Sequence, residues 1–98
     1  MINSYGKFKD FEIRDVVYFD NNHDNKIRFD IIKWFKDEKS GKDICFSIGF
    51  LEWNDKEPCF ELQSGSLRWL EYSTEELNQW LLKWCEMKSY EILKGNES

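Results

Sequence analysis

Alanine is absent from this chain of 98 residues, and histidine and proline occur once each. No apolar run approaches the ~20 residues that a helix needs to cross a bilayer. The lone histidine, His23, has no second imidazole to share a metal with, and it sits in a run of turn formers, Asp20-Asn21-Asn22-His23-Asp24-Asn25. That run begins like a calcium loop. It has Asn25 where the sixth-position glycine belongs and Ile31 where the twelfth-position glutamate belongs, which excludes the reading. Three cysteines, Cys45, Cys59 and Cys85, are widely spaced and form no CxxC. They are expected to be reduced, half-buried thiols of a cytoplasmic protein rather than nucleophiles, a disulfide framework or a zinc site. Residues 1–9 lack the apolar core of a secretion signal. No metal or cofactor is expected, nor an enzymatic activity.

Acidic side chains outnumber basic ones, nineteen to fourteen. The formal net charge is −5, and the lysines are interleaved with Asp10, Asp30, Asp37, Glu38 and Asp43. Nucleic-acid binding draws on a contiguous basic footprint, so it is disfavoured, as is an anionic membrane surface. A basic protein partner is favoured by the same charge. Lysine outnumbers arginine eleven to three, a bias that fits an AT-rich bacterial or phage genome.

What the chain has is aromatic area: eight Phe, five Trp and four Tyr. Such side chains let a short chain build a core. Alternation with period two predicts strands over Phe11–Phe19, Lys26–Lys36 and Asp43–Trp53, with a fourth opening at Cys59–Gln63. Turn formers separate them, and Pro58 starts the fourth. Small residues at Ser47 and Gly49 suggest a bulge or the close approach of another element. Leu67–Tyr72 either resumes the fourth strand or makes a fifth. Ser73-Thr74-Glu75-Glu76 reads as a capping box. A helix follows to about Leu93, with Leu77, Trp80, Leu81, Trp84 and Ile92 on one stripe broken by Lys88.

The fold class is therefore α+β in a single domain, 1–98: an antiparallel meander of four to five strands covered on one face by a C-terminal helix. The expected core face is Phe11, Ile13, Val17, Phe19, Ile27, Phe29, Ile31, Phe35, Ile44, Phe46, Ile48, Phe50, Phe60 and Leu62. The opposite face would carry Val16, Tyr18, Ile32, Trp34, Cys45, Leu51 and Trp53 among Glu12, Arg14, Arg28 and Asp30. That is more aromatic surface than a solvated face requires.

The order of four strands and a helix, with Trp53-Asn54-Asp55 before a strand, resembles the single-strand-DNA-binding transcriptional coactivators. The basic residues that carry their function are missing here, so no role is transferred. In size, acidity and aromatic content the chain is similar to bacterial toxin-immunity proteins and phage anti-defence inhibitors, a resemblance of class without a shared motif. The resulting expectation is a non-catalytic module that binds and blocks a basic protein such as a nuclease. Tyr18, Trp34 and Trp53 would be anchors, and Asp30, Glu52 and Asp55 an acidic rim. The carboxylates of Glu57 and Glu61 would extend that rim. The alternatives are a homodimer sealed by the aromatic face, or a single-strand nucleic-acid binder that stacks bases on Trp and Tyr.

Overall fold

The computed structural model describes residues 4–15, 28–54 and 56–96. The elements run β1 (Ser4–Phe8), β2 (Phe11–Asp15), β3 (Arg28–Lys36), β4 (Asp43–Asn54), β5 (Cys59–Gln63), α1 (Leu67–Tyr72) and α2 (Glu75–Asn96). The strands pair antiparallel in chain order as a half-barrel meander, and α2 packs against it. The expected α+β architecture is present, with two changes of membership. Ser4–Phe8 is a strand the period-two reading missed. Leu67–Tyr72 is a helix, which removes both strand options for that segment. His23, Val16, Val17, Tyr18, Phe19, Ile27 and Asp55 lie outside the described residues.

The turns follow from local side-chain chemistry. Between β3 and β4, the Asp37 carboxylate accepts from Lys39 N at 3.2 Å and Ser40 Oγ at 2.8 Å. Gly41 takes φ +71° there, the left-handed region that glycine enters freely. Between β4 and β5, Asn54 Oδ1 accepts from Lys56 N at 2.9 Å, an Asx turn.

The decisive local feature is a bulge in β4. Ile31 pairs with Gly49 and Ile32 with Ser47, so Ile48 is an extra residue without a partner across the ladder. One inserted residue exchanges the faces of everything beyond it. Leu51 therefore points into the core, fully buried, and Phe50 turns to the opposite face, where Arg28 lies 5.2 Å above its ring. Trp53 also turns inward and packs edge-on against Phe60, with ring centroids 5.1 Å apart. The face expected for Phe50, Leu51 and Trp53 is thus reversed. Before the bulge the expected face holds, but only loosely: Ile44 is 51 % exposed, and Phe35 and Phe46 are half-buried against Tyr72.

Gly49 sits at the crossing. A Cβ there would meet Gln63 O at 2.9 Å and Trp69 Cε3 at 3.3 Å. Trp69 reaches this spot because α1 is capped by Ser66, whose Oγ accepts from Trp69 N at 3.1 Å and donates to the bulge carbonyl of Ile48 at 2.7 Å. In α2 the cap is Thr74 rather than Ser73: Thr74 Oγ1 accepts from Leu77 N at 3.0 Å.

The buried stripe of α2 is Leu77, Leu81, Trp84, Cys85 and Ser89, with Trp80 and Ile92 half-buried at its margins. It meets Ile13, Ile31, Ile48 and Leu51 of the sheet. The helix also ties down both sheet edges. Ser89 Oγ accepts from the edge amide of Phe60 at 2.9 Å and donates to Cys85 O at 2.5 Å. Trp84 Nε1 donates to Tyr5 O on β1 at 3.1 Å, while its ring contacts Phe29 and Phe60. Edge strands with free amides invite pairing with other chains, and α2 removes part of that liability.

Gly49→Ala is expected to destabilise the fold by about 1–3 kcal/mol, because the added methyl meets backbone on one side and a ring on the other. Gly65→Ala, where an added Cβ meets nothing within 4 Å, should change stability by less than ~0.5 kcal/mol. Urea unfolding of the two variants checks both, and equal midpoints would contradict the close approach at Gly49.

Candidate functional site

Opposite the helices, the alternation of β2, β3 and β4 brings Glu12, Arg14, Arg28, Asp30, Ile32, Trp34, Cys45 and Ser47 to one face. Past the bulge this face continues with Phe50 and Glu52, and with Glu61 and Gln63 of β5. Among the described residues neither helix packs on it. The pairing register sets its rows: Arg14, Asp30, Phe50 and Gln63 in one, Arg28, Glu52 and Glu61 in another, with Trp34 beside Cys45.

Glu12 is the hub. Its residue is only 5 % exposed, although it lies on the face away from the hydrophobic core. Trp34 Nε1 donates to Glu12 Oε1 at 3.1 Å. Arg14 Nε stands 3.8 Å from the same oxygen, and Lys7 Nζ stands 3.9 Å from Oε2. Burial alone would raise the Glu12 carboxyl. Hydrogen bonds from Ser4 and Trp34 and the charges of Lys7 and Arg14 outweigh burial and hold it below the ordinary glutamate value. The carboxylate is thus ionised at neutral pH, which suits an orienting group rather than a proton donor. Arg14 also lies 5.8 Å over the Trp34 ring and reaches Cys45 Sγ at 3.8 Å. Trp34 is therefore half-buried and held on two sides. Beside it opens a cleft of about 430 Å³, lined by Lys7, Lys9, Asp10, Trp34, Lys36 and Asp43 among others.

The other end of the face is tied up within the chain. Arg28 Nε and Glu52 Oε2 are 2.5 Å apart, and Asn54 Nδ2 donates to Glu61 Oε1 at 2.8 Å. Ser47 Oγ is 3.5 Å from Asp30 Oδ1.

Of the expected site residues, Trp34, Asp30 and Glu52 share this face. Trp53 is on the other side of the sheet, and Tyr18 and Asp55 lie outside the described residues. Glu12, Arg14 and Lys7 were missed as a unit. Alternation placed Glu12 and Arg14 on this face, whereas Lys7 lies in the missed strand β1, and only the β2–β3 register shows that Glu12 stands next to the tryptophan. The cysteines divide. Cys45 is exposed, which corrects the expectation of a half-buried thiol, whereas Cys59 is half-buried and Cys85 buried. Burial, with a smaller contribution from Cys59, pushes the Cys85 thiol up to about 11. Burial also raises Cys59, helped by Glu61 and Glu57. No group of three His, Cys, Asp or Glu side chains among the described residues is arranged to hold a metal ion, and no helix is long and apolar enough to cross a membrane.

Two measurements follow. With a small alkylating reagent near neutral pH, Cys45 should react first, and Cys85 only on unfolding; mass spectrometry of the labelled peptides reads the order. The depressed Glu12 value means that its stabilisation is full above the unfolded-state value of 4.5 and is lost as pH falls through the folded-state one. The loss of urea resistance on acidification below that point should be smaller in Glu12→Gln than in the parent chain. Equal losses would deny Glu12 this role.

Compared with known proteins, the chain matches no family model, no curated protein and no solved structure.

Proposed function

We propose that this chain is a non-catalytic protein-binding module that docks its partner through the open face of the sheet, with Trp34 as the anchor. One observation carries the reading: Trp34 keeps part of its ring accessible on the open face and is held in orientation by the Glu12 carboxylate and the Arg14 guanidinium. A tryptophan held this way loses little conformational freedom on contact, which is what makes aromatic anchors effective at interfaces. The cleft beside it offers room for a side chain of the partner.

The net charge of −5 supports a basic partner, whose approach it would accelerate. Glu52 is engaged by Arg28, so the steering comes from the charge of the whole chain more than from Asp30 and Glu52. A basic bacterial nuclease fits this description. Covering its active surface would make the chain an inhibitor or immunity-type protein of bacterial or phage origin.

The test begins with affinity capture from bacterial lysate, followed by binary titration of the recovered protein. Trp34→Ala should weaken that binding by at least tenfold, about 1.4 kcal/mol, while far-ultraviolet dichroism stays unchanged. Trp53→Phe, altered on the core side, should bind as the parent does. A Trp34→Ala variant with parental affinity would remove the proposed anchor.

A further inference from the structure

Strand β4 outruns the strand beside it. β5 pairs with it only over Phe50–Asn54, so Asp43–Ser47 has β3 on one side and, among the described residues, no strand on the other. Two observations show which way this backbone points. Trp34 N donates to Asp10 O at 2.8 Å, away from β4. Trp34 and Cys45 are therefore a pair without mutual hydrogen bonds, and the N–H and C=O of Cys45 face the open edge. Two residues on, Ser47 O accepts from Arg68 Nη1 at 3.4 Å, which puts that carbonyl on the same edge. Asp43, Ile44 and Cys45 are exposed in succession, as an uncovered edge requires.

The edge ends in a cleft. Ser66 Oγ donates to Ile48 O at 2.7 Å, so the chain leaving β5 closes the edge just past Ser47. A cleft of about 570 Å³ opens there, lined by Ser47, Phe50, Gln63, Gly65, Ser66 and Arg68 among others. Arg68 is the one charged side chain of that lining among the described residues. Of the three arginines, Arg14 is paired with Glu12 and Arg28 with Glu52, whereas Arg68 has no carboxylate partner among the described residues. Its guanidinium lies 4.6 Å over the Phe46 ring, which holds it in place with most of its donors unused.

We propose that this edge binds the C-terminal end of an extended peptide from another protein, which adds to β4 as a further strand and sets its terminal carboxylate on Arg68. A strand edge with free main-chain groups is the template for such addition. The closed end favours a chain terminus, because a chain running straight through would meet Ser66. Charge selects which terminus: a carboxylate forms paired hydrogen bonds with a guanidinium, and an ammonium is repelled by it. The peptide therefore runs parallel to β4, from Asp43 towards Ser47. An apolar side chain of the peptide would cover Ile44, which is 51 % exposed. The site is separate from the Trp34 anchor, so either reading can fail without the other.

An array of short peptides of random sequence, each printed both as the free C-terminal acid and as the amide, tests this with the full chain as the probe. The tightest acids should bind about tenfold or more better than their amides. In solution, the best acid should shift the amide resonance of Cys45. Arg68→Gln should weaken it about tenfold and abolish the preference for the acid. Cys45→Pro should weaken it by a similar factor, because it removes the edge donor without breaking a bond to β3. Melting temperatures close to the parent's show that both variants fold, and Trp34→Ala should leave this affinity unchanged. An array on which no acid binds better than its amide overturns the proposal, as does a preference for acids that survives Arg68→Gln. So does a peptide that Trp34→Ala releases and Cys45→Pro does not, since it would lie on the sheet face.

Discussion

The extra residue in β4 decides what each side of this protein is made of. Without the bulge the strand would alternate cleanly, and Phe46, Ile48 and Phe50 would fill the core while Leu51 and Trp53 lined the open face. With it, Leu51 and Trp53 turn inward and Phe50 turns out. The bulge is held from several directions. Its carbonyl accepts from Ser66, the cap of α1, and Trp69 of that helix packs over Gly49, the residue that follows. A short helix, a glycine and a bulge are one device. Remove the glycine and the ring has no seat; remove the ring and the core beneath the bulge opens.

The meander, the main helix and most of the core were legible in the sequence, because period-two and helical patterns over long segments report which residues share a face. Phe11, Ile13, Phe29, Ile31, Leu77 and Leu81 all lie where that pattern puts them. The bulge was not legible. Asp43–Trp53 alternates acceptably in either phase, since both sets of positions contain large apolar residues. Ser47 and Gly49 hinted at an irregularity without giving its phase. Leu67–Tyr72 was ambiguous for a related reason: six residues are too few to separate a helical turn from a strand, and only the Ser66 cap signals the helix. β1 was hidden because Gly6 and Lys7 interrupt its apolar pattern. Yet Gly6 is there for the fold, since an added Cβ would lie 3.3 Å from the Trp80 ring.

The site was legible in part, with the same physical reason behind the loss. Trp34 precedes the bulge in pairing order and keeps its expected face, whereas Trp53 follows it and does not. Pairing register is a tertiary property, so the join of Glu12 to Trp34 could not be read from either strand alone. Lys33 shows the converse. It breaks the apolar pattern of β3, and the structure accommodates it by setting its amine 3.0 Å from Asp10 and 4.8 Å from the Phe11 ring.

The open face also explains why a single tryptophan, rather than an apolar patch, is the proposed anchor. Arg28 lies over Phe50 and is tied to Glu52, so that ring is covered by a charged plane from its own sheet. Arg14 reaches over Trp34 but is shared among the ring, Glu12 and Cys45. Holding a nearly buried carboxylate in such a network contributes little net stability, because desolvation offsets most of the attraction. What the network does contribute is orientation. Each donor to Glu12 loses freedom by the contact, and the tryptophan is one of them. An apolar face of the kind the sequence suggested would risk indiscriminate association. In the proposed binding role, a charged face with one oriented ring would restrict contact to surfaces that match that ring, with the polar residues setting the specificity that the aromatic residue expresses.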